Sequence, residues 1–270
     1  MVLPFFQFIH KVSNVWIPKY KLKYATVKQF LSCAKAKMAK HDLASMRVDY
    51  KLGTRLDIEN LQSTDPMRLF GRWFEEAKNC DKIEEANAMT IATCTREGKP
   101  SARVVLLKGF DQRGFIFYTN YESRKGKELE ENPYAALVFL WQPLRKQIRV
   151  EGKVCKLSVE ESASYFHSRP VGSQIGACVS RQSLPIHSRQ VLLDKEKELM
   201  DKFGKKEKVP LPEYWGGYCI YPSNIEFWQG QSNRLHDRIQ FRRKEENDLL
   251  ENVECWKEGE NGWIYSRLSP

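Results

Sequence analysis

The chain is 270 residues long, 41% hydrophobic and 12% aromatic, with a formal net charge of +10. That length fits one domain plus an extension and supplies the apolar side chains for a substantial core. The first 46 residues carry eight lysines against Asp42 alone, so most of the charge belongs to a leader and argues against a folded body built to bind nucleic acid.

Residues 1–45 read as a basic, flexible extension or a targeting segment. The lysines leave mitochondrial targeting open, but the arginines of a typical transit peptide are missing. No stretch approaches the roughly twenty apolar residues of a membrane span. The seven cysteines (33, 80, 94, 155, 178, 219 and 255) are scattered and contain no Cys-x-x-Cys pair. They read as reduced thiols of a cytoplasmic protein and not as a metal site. The single folded domain is expected over 46–270.

Asp65-Pro66 is a helix start, with Asp as N-cap and Pro at the first helical position. Phe70, Trp73, Phe74 and Ala77 follow as an apolar stripe that belongs in a core. The periodicity then changes to that of strands at Ala88–Cys94, Ser101–Lys108, Phe115–Thr119, Tyr134–Trp141 and Gln147–Lys156. A short helix begins after Ser123 and ends before Pro133. Ser158-Val-Glu-Glu161 is a capping box opening another helix toward His167, and a charged helix runs from about Arg189 to Phe203. Tyr218–Tyr221, Ile225–Trp228, Asp237–Arg243 and Trp263–Arg267 read as further strands, with Lys244–Gly262 as a polar loop. Antiparallel strands interrupted by helices predict a mainly β, α+β architecture: a barrel with peripheral helices.

Two places suit a phosphate. Arg103 lies on a strand, and Ser123-Arg124-Lys125 begins a helix, where free N–H groups, the helix dipole and two cations favour a dianion. Cations in a first helical turn oppose the dipole, so their presence itself points to an anion. The second place is Tyr165, Arg169 and Ser173 around a Pro-x-Gly turn, with Lys108 as a further cation, whereas His167 reads as a packing histidine. No Gly-x-Gly-x-x-Gly or Walker lysine motif is present. Finally, Arg234, His236 and Arg238 recur with period two, so an extended segment would place all three on one face against an anionic or electron-rich ring.

Several segments resemble the pyridoxine (pyridoxamine) 5′-phosphate oxidase family. They are Arg103-Val-Val-Leu-Leu-Lys108, Tyr118-Thr-Asn-Tyr-Glu-Ser-Arg-Lys-Gly126, Gln147-Ile-Arg-Val-Glu-Gly152 and Tyr165-Phe-His-Ser-Arg-Pro170. Ser180-Arg-Gln-Ser183, Trp228-Gln-Gly-Gln-Ser-Asn-Arg-Leu-His-Asp-Arg238 and Arg267-Leu-Ser-Pro270 continue it, in the same order and from about Met46 onward. The resemblance implies an FMN-binding split β-barrel, working as a homodimer with cofactor sites at the subunit interface. By motif, Arg103, Val104, Val105, Leu106, Tyr118, Thr119, Arg124 and Lys125 would hold FMN. Gln147, Gln182, Ser183, Trp228 and Arg238 would complete its site, some from the partner. Lys108, Tyr165, Arg169 and Ser173 would bind the substrate phosphate. Arg234 and His236 would lie on the pyridine ring as the catalytic pair, with Arg47 and Tyr50 closing over it. The implied reaction oxidises pyridoxine 5′-phosphate or pyridoxamine 5′-phosphate to pyridoxal 5′-phosphate with O2, releasing hydrogen peroxide, and ammonia from the amine. No metal, membrane or nucleic-acid partner is implied. The competing reading is a flavin-barrel protein that binds FMN or pyridoxal phosphate without this oxidation.

Overall fold

The computed structural model describes Leu43, Met46, Tyr50 and residues 55–204, 208–244 and 253–270. The chain divides into two compact units, Met1–Val48 and Asp49–Pro270, and the second carries every element below. Helix α1 (Pro66–Lys78) starts where the sequence places it: buried Asp65 accepts from the Met67 and Arg68 amides. Four strands follow, β1 (Ala88–Cys94), β2 (Pro100–Leu106), β3 (Gly109–Asp111) and β4 (Gly114–Asn120), then helix α2 (Arg124–Glu131). Strands β5 (Tyr134–Trp141) and β6 (Lys146–Lys156) lead to helices α3 (Val159–Ser168), α4 (Val171–Val179) and α5 (Gln190–Phe203). Strands β7 (Trp215–Gln229), β8 (Asp237–Arg243), β9 (Lys257–Glu258) and β10 (Trp263–Arg267) close the chain.

All pairings are antiparallel, in the order β2-β1-β5-β6-β7-β8-β10-β9. The sheet splits at β7. Strand β6 follows β7 along both halves, whereas β4 pairs with residues 215–220 and β8 with residues 224–229. This is the mainly β architecture with peripheral helices that the strand spacing predicts. The stripe of α1 is buried as expected, and Phe70 packs edge-on against Phe110, Phe115 and Phe139 at ring separations of 4.9, 4.8 and 5.2 Å. Such pairs add about 0.5–1.5 kcal/mol each beyond their burial, which fixes the helix against the sheet that carries the site.

Three sequence expectations change. Tyr218–Tyr221 and Ile225–Trp228 are one long strand, because the irregularity around Pro222 is absorbed as a register shift opposite Glu151/Gly152 and does not end the pairing. The Pro-x-Gly turn before Ser173 is instead the start of α4, Pro170 occupying its N-cap; proline needs no amide partner there. Within the stretch read as a loop, Val253–Cys255 forms a 3-10 turn and β9 pairs with β10.

Candidate functional site

A cavity of about 770 Å³ opens between β2, β4, the start of α2, and the α3–α4 region, within the range of about 300–1,000 Å³ common for cofactor sites. Its lining includes Arg103, Val104, Val105, Leu106, Lys108, Tyr118, Thr119, Arg124, Lys125, Arg169, Ser173, Gln182 and Ser183. Both phosphate places expected from sequence therefore share one cavity.

The first place is built on α2. Ser123 caps the helix by accepting from the Gly126 amide. A side chain at Gly126 would bring a Cβ to 2.0 Å from the Tyr121 carbonyl oxygen, so glycine lets the turn and helix approach closely. Arg103 donates to Thr93 and to Ser101 (2.7 Å), and its Nη2 lies 3.5 Å from the Glu128 carboxylate. Arg124 donates to the same carboxylate at 2.8 Å. Buried Glu128 also accepts from Thr93. Burial raises its pKa, but the bonds from Thr93 and Arg124 and the nearby guanidinium charges outweigh this and hold it below its ordinary value. Sequence reasoning missed Glu128, although its i+4 spacing from Arg124 was a usable signal. It also missed Trp215, which no local pattern marks.

Lys125 is buried and donates to the Gln182 amide oxygen at 2.6 Å. Burial, and secondarily the charge of Arg103, push its amine down to about 8. Thr119 donates to the same Gln182 oxygen at 3.4 Å, and Ser183 Oγ accepts from the Arg124 amide at 3.2 Å. Ser183 holds a left-handed φ of 73°, a conformation that costs energy outside glycine and concentrates at ligand sites.

In the second place, Tyr165 stacks on Tyr118 at 3.9 Å, and Tyr118 stacks on Trp215 at 5.5 Å. The Arg169 guanidinium sits 5.0 Å over Trp215 and donates through Nη2 to the Ser173 carbonyl at 2.7 Å. Its Nη1 is buried with no hydrogen-bond partner among the described residues. A buried unsatisfied guanidinium nitrogen costs free energy that an anion in the cavity recovers. His167 bonds the Val209 carbonyl at 3.1 Å and packs on Phe166, the structural role expected of it.

The remaining expected residues do not line this cavity. Gln147, Trp228 and Arg238 occupy matching positions on β6, β7 and β8. Tyr50 and His236 pack beside Trp228, at ring separations of 6.4 and 4.8 Å. Arg238 is engaged by Glu226 (2.8 Å) and by the Ser269 carbonyl (2.8 Å). The expected single face of Arg234, His236 and Arg238 is not realised. Strand β8 starts only at Asp237, and Arg234 sits in an exposed turn with φ 63°, which breaks the two-residue alternation. The turn gives His236 a defined state: its Nδ1 accepts from the Gln231 amide at 2.9 Å. That bond engages Nδ1 as an acceptor and leaves Nε2 as the ring nitrogen that can donate. Arg47 lies outside the described residues.

Known proteins resemble this chain over most of its length. The model of the family described as pyridoxamine 5′-phosphate oxidase matches residues 75–200, and that of the pyridoxine 5′-phosphate oxidase C-terminal dimerisation region matches 215–270. The chain is 55% identical to pyridoxine-5′-phosphate oxidase of Bos taurus over 230 residues, covering 85% of this chain and 88% of that protein. Among solved structures, PhzG from Burkholderia lata, in complex with tetrahydrophenazine-1-carboxylic acid, superposes with a TM-score of 0.70 at 29% identity, covering 82% of this chain and 100% of the other. A pyridoxamine 5′-phosphate oxidase-related, FMN-binding protein from Nostoc punctiforme shares the fold, with a TM-score of 0.57 at 13% identity over 76% of this chain and 98% of the other.

Proposed function

The chain belongs to the pyridoxine (pyridoxamine) 5′-phosphate oxidase family and is an FMN-dependent oxidoreductase of vitamin B6 metabolism; from that premise we propose how its residues share the work. Bound FMN supplies the two-electron acceptor for oxidation at C4′ of pyridoxine 5′-phosphate or pyridoxamine 5′-phosphate, and the products are pyridoxal 5′-phosphate and, with O2 as final acceptor, hydrogen peroxide. The amine substrate additionally releases ammonia on hydrolysis.

Arg103, Arg124 and Lys125 hold the FMN phosphate, with Tyr118, Thr119, Gln182 and Ser183 along its ribityl side and Val104, Val105 and Leu106 beside the ring. The donor set fits: three cations, two of them in the first turn of α2, converge on one cavity. Lys108, Tyr165, Arg169 and Ser173 clamp the substrate phosphate. The observation that carries this assignment is Arg169 in the wall of the cavity that holds the first phosphate place, its Nη1 having no hydrogen-bond partner among the described residues. Clamping a remote phosphate fixes C4′ in position before any bond changes.

Gln147, Tyr50, Trp228, Arg234, His236 and Arg238 act on the cavity of a second copy of the chain. Two facts support this: they stand away from the cavity of their own chain, and residues 215–270 match a dimerisation region. His236 donates through Nε2 to the substrate and Arg234 covers the pyridine ring. His236 is not assigned as general base, because Nδ1, the nitrogen free to take a proton, already accepts from Gln231.

The purified protein is expected to be yellow, to bleach when pyridoxine 5′-phosphate is added without oxygen, and to recover its colour in air with release of peroxide. A yellow protein that the substrate does not bleach would leave the competing reading, a flavin carrier, in its place.

A further inference from the structure

Strands β6 and β7 set Cys155 directly opposite Cys219. Two residues further on, the Leu157 amide donates to the Gly217 carbonyl at 2.9 Å. Hydrogen-bonded pairs recur every second residue in an antiparallel ladder, so Cys155 and Cys219 also form one, with Cα atoms about 5.5 Å apart. Opposed side chains share a face, and their Cβ atoms stand about 4.5–5.5 Å apart. A disulfide spans Cα separations of about 4.4–6.8 Å and prefers Cβ atoms at about 3.5–4.5 Å. A hydrogen-bonded pair stands at the wide end of the cross-strand range, so the bond needs a closure of roughly 1–2 Å, by movement of the strands, and is strained once formed. A bond formed under such strain is readily reduced again. Both cysteines are free thiols here; Cys155 is exposed and Cys219 is fully buried.

We propose that Cys155 and Cys219 are a redox-active pair that hydrogen peroxide converts to a reversible cross-strand disulfide. The Cys155 thiolate attacks one peroxide oxygen, the O–O bond breaks, and the departing hydroxide is protonated to water, leaving a sulfenic acid. The Cys219 sulfur then attacks the Cys155 sulfur. The S–O bond breaks, and the hydroxide leaves with the Cys219 proton as a second water. Two thiols and one peroxide thus give one disulfide and two waters. The order of attack follows from access, and burial, which pushes the Cys219 thiol up to about 11, agrees with it. That the peroxide comes from the protein's own turnover rests on the oxidase function; the bond itself does not.

The pair is coupled to the cofactor cavity by one rung of the sheet. Gly217 pairs with Tyr118 on β4, and both share the sheet face of Cys219. The Leu157 side chain and the Tyr118 ring crowd over Gly217: a Cβ there would lie 2.6 Å from Leu157 Cδ1 and 2.8 Å from Tyr118 Cε1. Drawing β6 toward β7 at Cys155 therefore presses Leu157 on Tyr118, which lines the cavity.

The test treats the FMN-loaded full chain with added peroxide, blocks remaining thiols and maps the peptides. One linkage within a single chain, joining the Cys155 and Cys219 peptides and reversed by dithiothreitol, is expected, together with a change in flavin fluorescence. Cys155→Ser should abolish both the linkage and the fluorescence change. Cys219→Ser should instead accumulate a sulfenic acid on Cys155, trapped by dimedone. The proposal is overturned if both thiols remain alkylatable, if Cys155 links to another cysteine, or if Cys155→Ser leaves the fluorescence response intact. Because the peroxide is added, failure here is separable from failure of the oxidase assay.

Discussion

Lys125 offers the sharpest quantitative test of the phosphate assignment. Its amine sits at about 8 because burial and Arg103 disfavour the charged form. About nine in ten molecules therefore carry the proton near pH 7 and about one in ten near pH 9. A phosphate dianion beside the amine favours the charged form and raises its pKa in the complex. Binding then takes up a proton between the free and the bound values, so affinity is full below pH 8 and falls as pH rises through that window. From pH 7 to pH 9 the Kd for FMN should weaken by about tenfold, the ratio of the protonated fractions. Lys125→Met should remove this slope and weaken binding near pH 7 by about 10- to 150-fold, the equivalent of a charge-assisted bond of about 1.5–3 kcal/mol. Titrating the apoprotein with FMN by flavin fluorescence, at constant ionic strength, reads both effects. A wild-type Kd that is flat over this range, or a Lys125→Met variant that keeps the slope, would refute the reasoning.

Arg169→Ala should raise KM for pyridoxine 5′-phosphate by at least tenfold while leaving the Kd for FMN unchanged, and its preference over unphosphorylated pyridoxine should shrink in parallel. Arg234→Ala and His236→Ala should stay yellow yet slow anaerobic flavin reduction by roughly 10²–10⁴ in stopped flow, if proton movement shares the transition state. Gly126→Ala drives a Cβ into backbone at 2.0 Å; it should cost about 1–3 kcal/mol, roughly 2–4 °C of Tm for each kcal/mol in calorimetry, and weaken FMN binding. A chain lacking residues 1–45 should keep FMN affinity and turnover, measured side by side with the full chain.

Much of the site was legible because local chemistry dictates it. Ser123 before a run of helix formers fixes where α2 starts, and with it the positions of Arg124 and Lys125 in the cavity wall. The capping box at Ser158 fixes α3, which carries Tyr165 onto Tyr118 of the cavity wall. The stripe from Phe70 to Ala77 announces a buried helix whatever it packs against. The turn at Arg234 was not legible, since alternating residue types fit an extended strand equally well. Arg234 is spanned by a local turn, the Leu235 amide donating to the Asn233 side chain at 3.1 Å, whereas Asp237, where the strand begins, is held by contacts remote in sequence, Arg267 at 2.7 Å and the Leu56 amide at 3.1 Å. Nor does any sequence period link Arg169 to Trp215, or Glu128 to both Arg103 and Arg124. Spacing along the chain thus determined most of the elements and the donor chemistry of each segment, because hydrogen bonding and side-chain periodicity act over a few residues. Tertiary structure decided which segments share a cavity, which nitrogen of His236 is engaged, and that Nη1 of Arg169 is buried with no hydrogen-bond partner among the described residues, because each depends on groups that only the folded chain brings within bonding distance.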